Sequence, residues 1–190
     1  METALYEDKT FNGTDFSVKT VSKREFADCI FINCNFSKSD LSNDDFMDCH
    51  FRGCNFSLAI MENTGIKNIR FTGCKLMGID FSRCNNFNFS AIFENCPLDY
   101  CSFFRKKMKK TSFTDCSLKE ADFTETDLSM AIFNNCDLLN ASFMQTILEK
   151  ADFRSARNYA LDPEMNKIKK AKFSATGIAG LLAKYDIDIE

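Results

Sequence analysis

The stretch Phe26-Ala27-Asp28-Cys29-Ile30-Phe31-Ile32-Asn33-Cys34-Asn35-Phe36 places a phenylalanine at every fifth residue and a cysteine two residues before the next ring. Outward from it the spacing runs through Phe11, Phe16, Val21, Phe26, Phe31, Phe36, Leu41, Phe46, Phe51, Phe56, Met61, Ile66, Phe71, Leu76 and Phe81. A second run, displaced by two residues, takes in Phe93, Leu98, Phe103, Met108, Phe113, Leu118, Phe123, Leu128, Phe133, Leu138, Phe143, Leu148 and Phe153. Every position in both runs is apolar, and together they hold 17 of the 21 Phe. A period of five fits neither the 3.6 of an amphipathic helix nor the 2.0 of a half-buried strand. A chain that bends by about a quarter turn every five residues does fit. Four repeats then close a square coil, coils stack by strand pairing at ~4.8 Å, and each central side chain points inward.

The residue two before each centre should also face the narrow interior and be small. Those positions hold Cys29, Cys34, Ser39, Cys49, Cys54, Ala59, Thr64 and Cys74, and later Ala91, Cys96, Cys101, Thr111, Cys116, Ala121, Thr126 and Cys136. With Cys84 in the same place one step on, all 10 Cys share one structural address. The segments Ala121-Asp-Phe-Thr-Glu, Thr126-Asp-Leu-Ser-Met, Ala141-Ser-Phe-Met-Gln and Ala151-Asp-Phe-Arg-Ser resemble the A(D/N)LXX motif of pentapeptide-repeat proteins. That resemblance implies an all-β fold, a right-handed quadrilateral β-helix. The expected organisation is an N-terminal cap over residues 1–10, the β-helix over 11–157 with a frame shift at about 82–92, and a small helical capping and dimerisation module over 158–190.

The chain has 190 residues, enough for one domain or one repeat array. Its net charge of −3 supplies no global basic field for holding nucleic acid. The start, Met1-Glu-Thr-Ala-Leu-Tyr-Glu-Asp, lacks a basic region followed by an apolar stretch, and no run approaches a membrane span, so a cytoplasmic location is expected. Cysteines twenty residues apart, such as Cys34, Cys54 and Cys74, would stack in parallel at ~4.8 Å, whereas disulfides prefer converging Cβ atoms near ~3.8 Å. Reduced, packed thiols are expected, and neither metal nor cofactor. His50 has no His companion and faces outward. A filled prism offers no cleft in which a nucleophile and base converge, so no catalytic residue is assigned and the protein is not expected to be an enzyme.

The outward carboxylates stand in files. Asp8, Asp28 and Asp48 lie twenty apart with Asn68 next, and a second file of Asp40 and Asp80 is broken by Ile60. Such files either imitate the phosphates along one side of a duplex or are ordinary solubilising charge. The frame shift must bulge, leaving Phe87 or Phe89 outside as a contact, or burying both. In Arg105-Lys-Lys-Met-Lys-Lys110, Lys106 falls on an inward position, so the coil is expected to open there. This basic segment either meets an acidic partner or DNA phosphate, or is a solvated edge. Lys9, Lys19 and Arg24 at inward positions suggest a frayed or specially capped first coil.

After Phe153 the pattern is read as stopping. Asp162-Pro163-Glu164 reads as a helix start running to about Lys169, Ser174 as the cap of a second helix, and Asp186 to Glu190 as strand-like alternation. Ile178, Leu181, Leu182 and Tyr185 form an apolar stripe that covers the last coil or meets a second copy across a two-fold axis. The block from Asn158 to Ile189 resembles the C-terminal module of the Qnr-like and microcin-immunity, topoisomerase-protecting branch. That resemblance implies a C-terminal homodimer and DNA gyrase or topoisomerase IV as partner, bound by DNA mimicry and protected from quinolone-like or microcin-like poisons. The alternative is a structural or adaptor solenoid that binds an unrelated protein, with direct nucleic-acid or membrane binding expected in neither case.

Overall fold

The computed structural model describes residues 4–17, 23–185 and 187–188. Its strands in chain order are β1 (Ala4–Glu7), β2 (Thr10–Asn12), β3 (Arg24–Ala27), β4 (Ile30–Ile32), β5 (Asp45–Met47), β6 (His50–Arg52), β7 (Gly65–Lys67), β8 (Ile69–Thr72), β9 (Ala91–Glu94), β10 (Ser112–Thr114) and β11 (Ile132–Asn134). One parallel sheet has the order β1-β3-β5-β7 and another β11-β10-β9-β8-β6-β4-β2. Isolated parallel bridges such as Asn35↔Asn55, Asp122↔Ser142 and Asp127↔Ile147 join the remaining rungs. The result is a parallel β-solenoid. Phe51 pairs with Phe71, twenty residues on, but Phe71 pairs with Phe93, twenty-two on, and Phe93 with Phe113 restores the step of twenty. The displaced frame is therefore a two-residue insertion in one side of one coil.

Two local rules turn the corners. The residue two after each centre lies in the left-handed region, as at Asp28 (φ 51°), Asn33 (φ 51°), Asn43 (φ 63°) and Asn63 (φ 53°). Asn, Asp and Gly reach this region at least cost, so Asn recurs there. The residue before the centre closes the turn with its side chain. Asp122 Oδ1 accepts from the Thr124 amide at 2.9 Å, Asp127 Oδ1 from Ser129 at 3.1 Å, and Asn35 Oδ1 from Ser37 at 3.1 Å.

Inside, rings stack between rungs and meet edge to face within them. Phe36 and Phe56 lie 4.6 Å apart at 5°, and Phe113 and Phe133 5.1 Å apart at 5°, while Phe113 and Phe123 are 6.0 Å apart at 79°. Each buried ring contributes about 1.5–3 kcal/mol through area removed from water. All ten cysteines are free and buried. Cys54 Sγ donates to the Phe31 carbonyl at 3.4 Å and Cys136 Sγ to that of Phe113 at 3.4 Å, and Thr126 and Thr146 do the same through Oγ1. The small inward address thus suits a side chain that can reach a carbonyl of the rung below.

Several sequence expectations need correction. Residues 4–10 are no separate cap: β1 and β2 belong to the sheets, and Tyr6 stacks on Phe26 at 4.9 Å. The coil also passes residue 157. Lys167 and Lys172 bridge Ile147 and Asp152, and Phe173 stacks on Phe153 at 5.4 Å. No helix forms over 162–169. Asp162 Oδ1 accepts from the Glu164 amide at 2.8 Å in the same side-chain turn that shapes the other rungs. Ser174 Oγ accepts from the Gly177 amide at 3.0 Å, but the chain beyond it forms a pair of 3₁₀ turns, Ile178–Leu181 and Ala183–Tyr185. The alternation read at 186–190 falls mostly outside the described residues.

The first coil is not frayed at Arg24. Its guanidinium is buried and paired with Asp44 one rung on, Nη2 to Oδ2 at 2.5 Å and Nε to Oδ2 at 3.0 Å, and its amide donates to Oδ1 at 2.9 Å. Lys9 is exposed, and Lys19 lies outside the described residues.

The coil does not open at Lys106 either, which is 1% exposed. Its ammonium donates to the Cys84 carbonyl and to Asn86 Oδ1 at 2.7 Å, and lies 5.2 Å from the Phe89 ring centre. Burial pushes its pKa below the ordinary lysine value. The insertion brings the Cys84 carbonyl and the side chain of exposed Asn86 within reach of the ammonium, and Lys106 bonds to both. Lys106→Met should lower stability by about 1–3 kcal/mol and speed hydrogen exchange at residues 84–90, whereas Lys107→Met should change neither.

Candidate interaction surface

The described residues contain no cluster of three or more His, Cys, Asp or Glu that could hold a metal ion, and no helix long and apolar enough to cross a membrane. His50 Nδ1 lies 3.1 Å from Arg52 Nε, which donates to it, and Nε2 lies 3.0 Å from Thr72 Oγ1. Burial, then Arg52 and Arg70, push its pKa down. The imidazole is thereby tied into a surface network rather than paired with a nucleophile.

Asp8, Asp28 and Asp48 occupy successive left-handed corners, with φ of 52°, 51° and 54°, and Asn68 above them donates from Nδ2 to Asp48 Oδ1 at 2.5 Å. All three aspartates are exposed. The corner geometry explains why Asp and Asn stand there; it leaves the charge free to act outward. Asp40 and Asp80 are half-buried on another side, separated by exposed Ile60. Asp80 accepts from Ser82 and pairs with Arg83 at 3.1 Å, so this second file presents little net charge.

Further along the shaft the first file changes character, which its three aspartates alone do not foretell. Pairing of Phe71, Phe93 and Phe113 aligns the residues three before them, Asn68, Ser90 and Lys110. Amide-to-carbonyl bonds then carry the corner on through Met130, Lys150 and Lys170. The file therefore changes sign at the insertion. Carrying the step of twenty across the two-residue shift makes this visible in the sequence.

The neighbouring outward positions follow the same trend in net charge, although Lys67 stands among the acids and Asp127 and Glu149 among the bases. Glu7, Glu25 and Asp45 lie on the rungs of β1, β3 and β5, while Lys107, Lys109, Lys167 and Lys169 lie beyond the insertion. Burial, together with Glu25 and Asp44, pushes the Asp45 pKa up, against the pull of Lys23. Within the basic segment, Arg105 is bound to Glu125 at 2.7 and 3.1 Å.

The insertion sits at the change of sign. Phe87 is 78% exposed, whereas Phe89 is 6% exposed and packs against Phe81. Phe87 walls one end of a shallow groove of about 310 Å³ whose floor includes Ala27, Met47, Gly65 and Ile66. A Cβ at Gly65 would meet Asp45 Oδ1 at 2.0 Å, so a larger residue there would push the Asp45 carboxylate aside. At the far end of the shaft Ile178, Leu182 and Tyr185 are exposed and Leu181 is half-buried. This tail is held by Leu161 N–H to the Gly180 carbonyl at 3.0 Å and by Lys184 to Asp162 and Glu164 at 2.9 and 2.6 Å.

Two family models match the chain, "Pentapeptide repeat region" over residues 24–103 and "Pentapeptide repeats (8 copies)" over residues 101–138 and 121–157. Among solved structures it resembles full-length QnrB1, a plasmid-mediated fluoroquinolone resistance protein, with TM-score 0.56 and 19% identity over 97% of this chain and 100% of that one. It also resembles HetL, a protein involved in heterocyst differentiation regulation from the cyanobacterium Nostoc sp. strain PCC 7120, with TM-score 0.51 and 16% identity over 88% and 84% of the two chains. At these identities the likeness is one of fold. No curated protein matches the chain.

Proposed function

Because the chain belongs to the pentapeptide-repeat family, we propose that it works as a non-enzymatic binding rod that presents flat faces to another macromolecule. The observation that carries this is the distribution of polar groups. The interior is packed with rings and small side chains, and the outward Asp, Asn and Ser are engaged in separate turns rather than converging on one point. A face with a large exposed ring beside a groove is what such a rod offers a partner. Phe87→Ser should abolish capture of the physiological partner by the immobilised protein, while Leu139→Ser, at an exposed residue on another side, should leave it intact. Equal capture by both variants would contradict the role given to Phe87.

Binding of a type II topoisomerase by DNA mimicry is a second function, favoured by the Asp8, Asp28 and Asp48 file and by exposed Ile178, Leu182 and Tyr185, which would join two shafts end to end. Against it stands the change of sign, since such a pair would bring its lysines to the centre and its aspartates to the outer ends. The test is supercoiling by purified gyrase with increasing protein, with and without a quinolone. Inhibition or rescue that is lost in Asp28→Asn/Asp48→Asn supports it; no binding and unchanged supercoiling remove it. In that outcome the binding rod has a partner other than a topoisomerase, and the cytoplasm is the compartment in which to seek it.

A further inference from the structure

The side of the shaft built on β1, β3, β5 and β7 is bipolar. Its corner file reads Asp8, Asp28, Asp48, Asn68, Ser90, Lys110, Met130, Lys150, Lys170, three acids followed by neutral residues and then bases. The reversal falls on the insertion, where Phe87 stands out of the face. Among the described residues no ion pair engages Asp8, Asp28, Asp48, Lys110, Lys150 or Lys170 within the chain.

A charge pattern that inverts about its own midpoint is complementary to itself when turned end for end. A two-fold axis lying in the face and perpendicular to the shaft achieves this, because it keeps each file opposite the same file of the other copy. We propose that this face binds a second copy of the chain in antiparallel orientation, with the two-fold axis near Phe87. This names the partner for the exposed ring and rests on the binding-rod function only in treating that ring as a contact.

One register brings opposite charges together without facing like charges in these files. Asp48 then lies opposite Lys150 of the second copy, Asp28 opposite its Lys170, Glu25 opposite its Lys167, and Phe87 over its Lys109; within each chain Glu25 also pairs with Lys23 and Lys109 with Asp127, each at 3.5 Å. Groups of opposite sign steer such an encounter and fix its orientation, while a ring against a lysine adds a cation–π contact. A face roughly 40 Å long at ~4.8 Å per rung and about 15 Å wide offers about 600 Å² per copy. The total of about 1,200 Å² reaches the lower bound of stable specific interfaces.

The experiment is sedimentation of the full chain carrying Leu182→Glu, which removes any end-to-end association, compared in low and high salt. Two further variants are made in that background, Asp28→Lys/Asp48→Lys and Lys150→Asp/Lys170→Asp. Lysine and aspartate already occupy left-handed corners at Lys38 and Asp115, so both should fold, as circular dichroism will verify. The expected result is a dimer of the parent at low salt, monomers of each charge variant alone, and a dimer again when the two variants are mixed. A monomeric parent, or a dimer that survives both charge variants, overturns the proposal. Either outcome removes the second copy as the partner of Phe87 and leaves capture of a different macromolecule by that ring to its own test, so failure here and failure of the binding-rod function remain distinguishable.

Discussion

Raising the pH from 9 to 11 is expected to unfold the protein, because the interior holds thiols that the unfolded chain would ionise. Burial pushes Cys49, Cys84, Cys96 and Cys101 up to about 12 from an ordinary value of 9.0. Contact with Cys54 and Cys136, and then burial, raise Cys74 and Cys116, while the same contacts lower Cys54 and Cys136, whose shift acts below pH 9. Between these limits the folded state keeps protons that the unfolded state releases. Stability is therefore fully present below pH 9 and is lost as pH rises toward 12. Each such thiol contributes a slope of about 1.4 kcal/mol per pH unit, and four give about 5 kcal/mol per unit. Two units consume about 10 kcal/mol, comparable to the whole stability of a domain. Lys106 works in the opposite direction, since its depressed pKa makes stability rise with pH up to 10.5, but it is one group against several. Urea unfolding at pH 8, 9, 10 and 11 measures the slope. Cys49→Ala, Cys96→Ala and Cys101→Ala together should flatten it by about 4 kcal/mol per unit, and equal stability at pH 8 and 11 would show that the thiols are not protected.

Removing Asp44 should be the most damaging single change on the acidic side. Asp44→Ala leaves the Arg24 guanidinium buried without its carboxylate, and breaking one partner of a buried pair costs about 3–5 kcal/mol. Replacing both, as Arg24→Met/Asp44→Leu, should return stability to within about 2 kcal/mol of the parent, because apolar residues of similar volume often substitute for such pairs. Chemical denaturation of Asp44→Ala and of the double variant decides this. A loss under about 1 kcal/mol in Asp44→Ala would mean that water reaches the pair.

The five-residue period, the inward phenylalanines and the shared address of the cysteines are legible in the sequence because each repeats many times under one geometric constraint. What the sequence did not disclose lies where one residue answers another from a neighbouring rung. Arg24 and Lys106 each look like a violation when taken alone. Arg24 is explained by Asp44 twenty residues later, and Lys106 by the carbonyl of Cys84 and the side chain of exposed Asn86, which the insertion brings within its reach. The last coil was hidden for a similar reason. Ile168 and Phe173 keep the period, but Asn158 and Pro163 interrupt it, with Tyr159 and Leu161 buried beside them. Exposure of Phe87 over Phe89 likewise depended on which ring the bulge turned inward.

The insertion offers the most direct test of the coil itself. Deleting Asn86 and Asn88 converts residues 84–90 into Cys-Asn-Phe-Phe-Ser, a regular rung like Cys34-Asn-Phe-Ser-Lys, and Lys106→Thr restores the small inward residue above it. If the chain turns a corner at every fifth residue and carries two extra residues here, thermal unfolding of this variant will stay cooperative at a midpoint equal to or above that of the parent. Loss of a cooperative transition, with the helix-poor dichroism spectrum replaced by that of an unfolded chain, would contradict it.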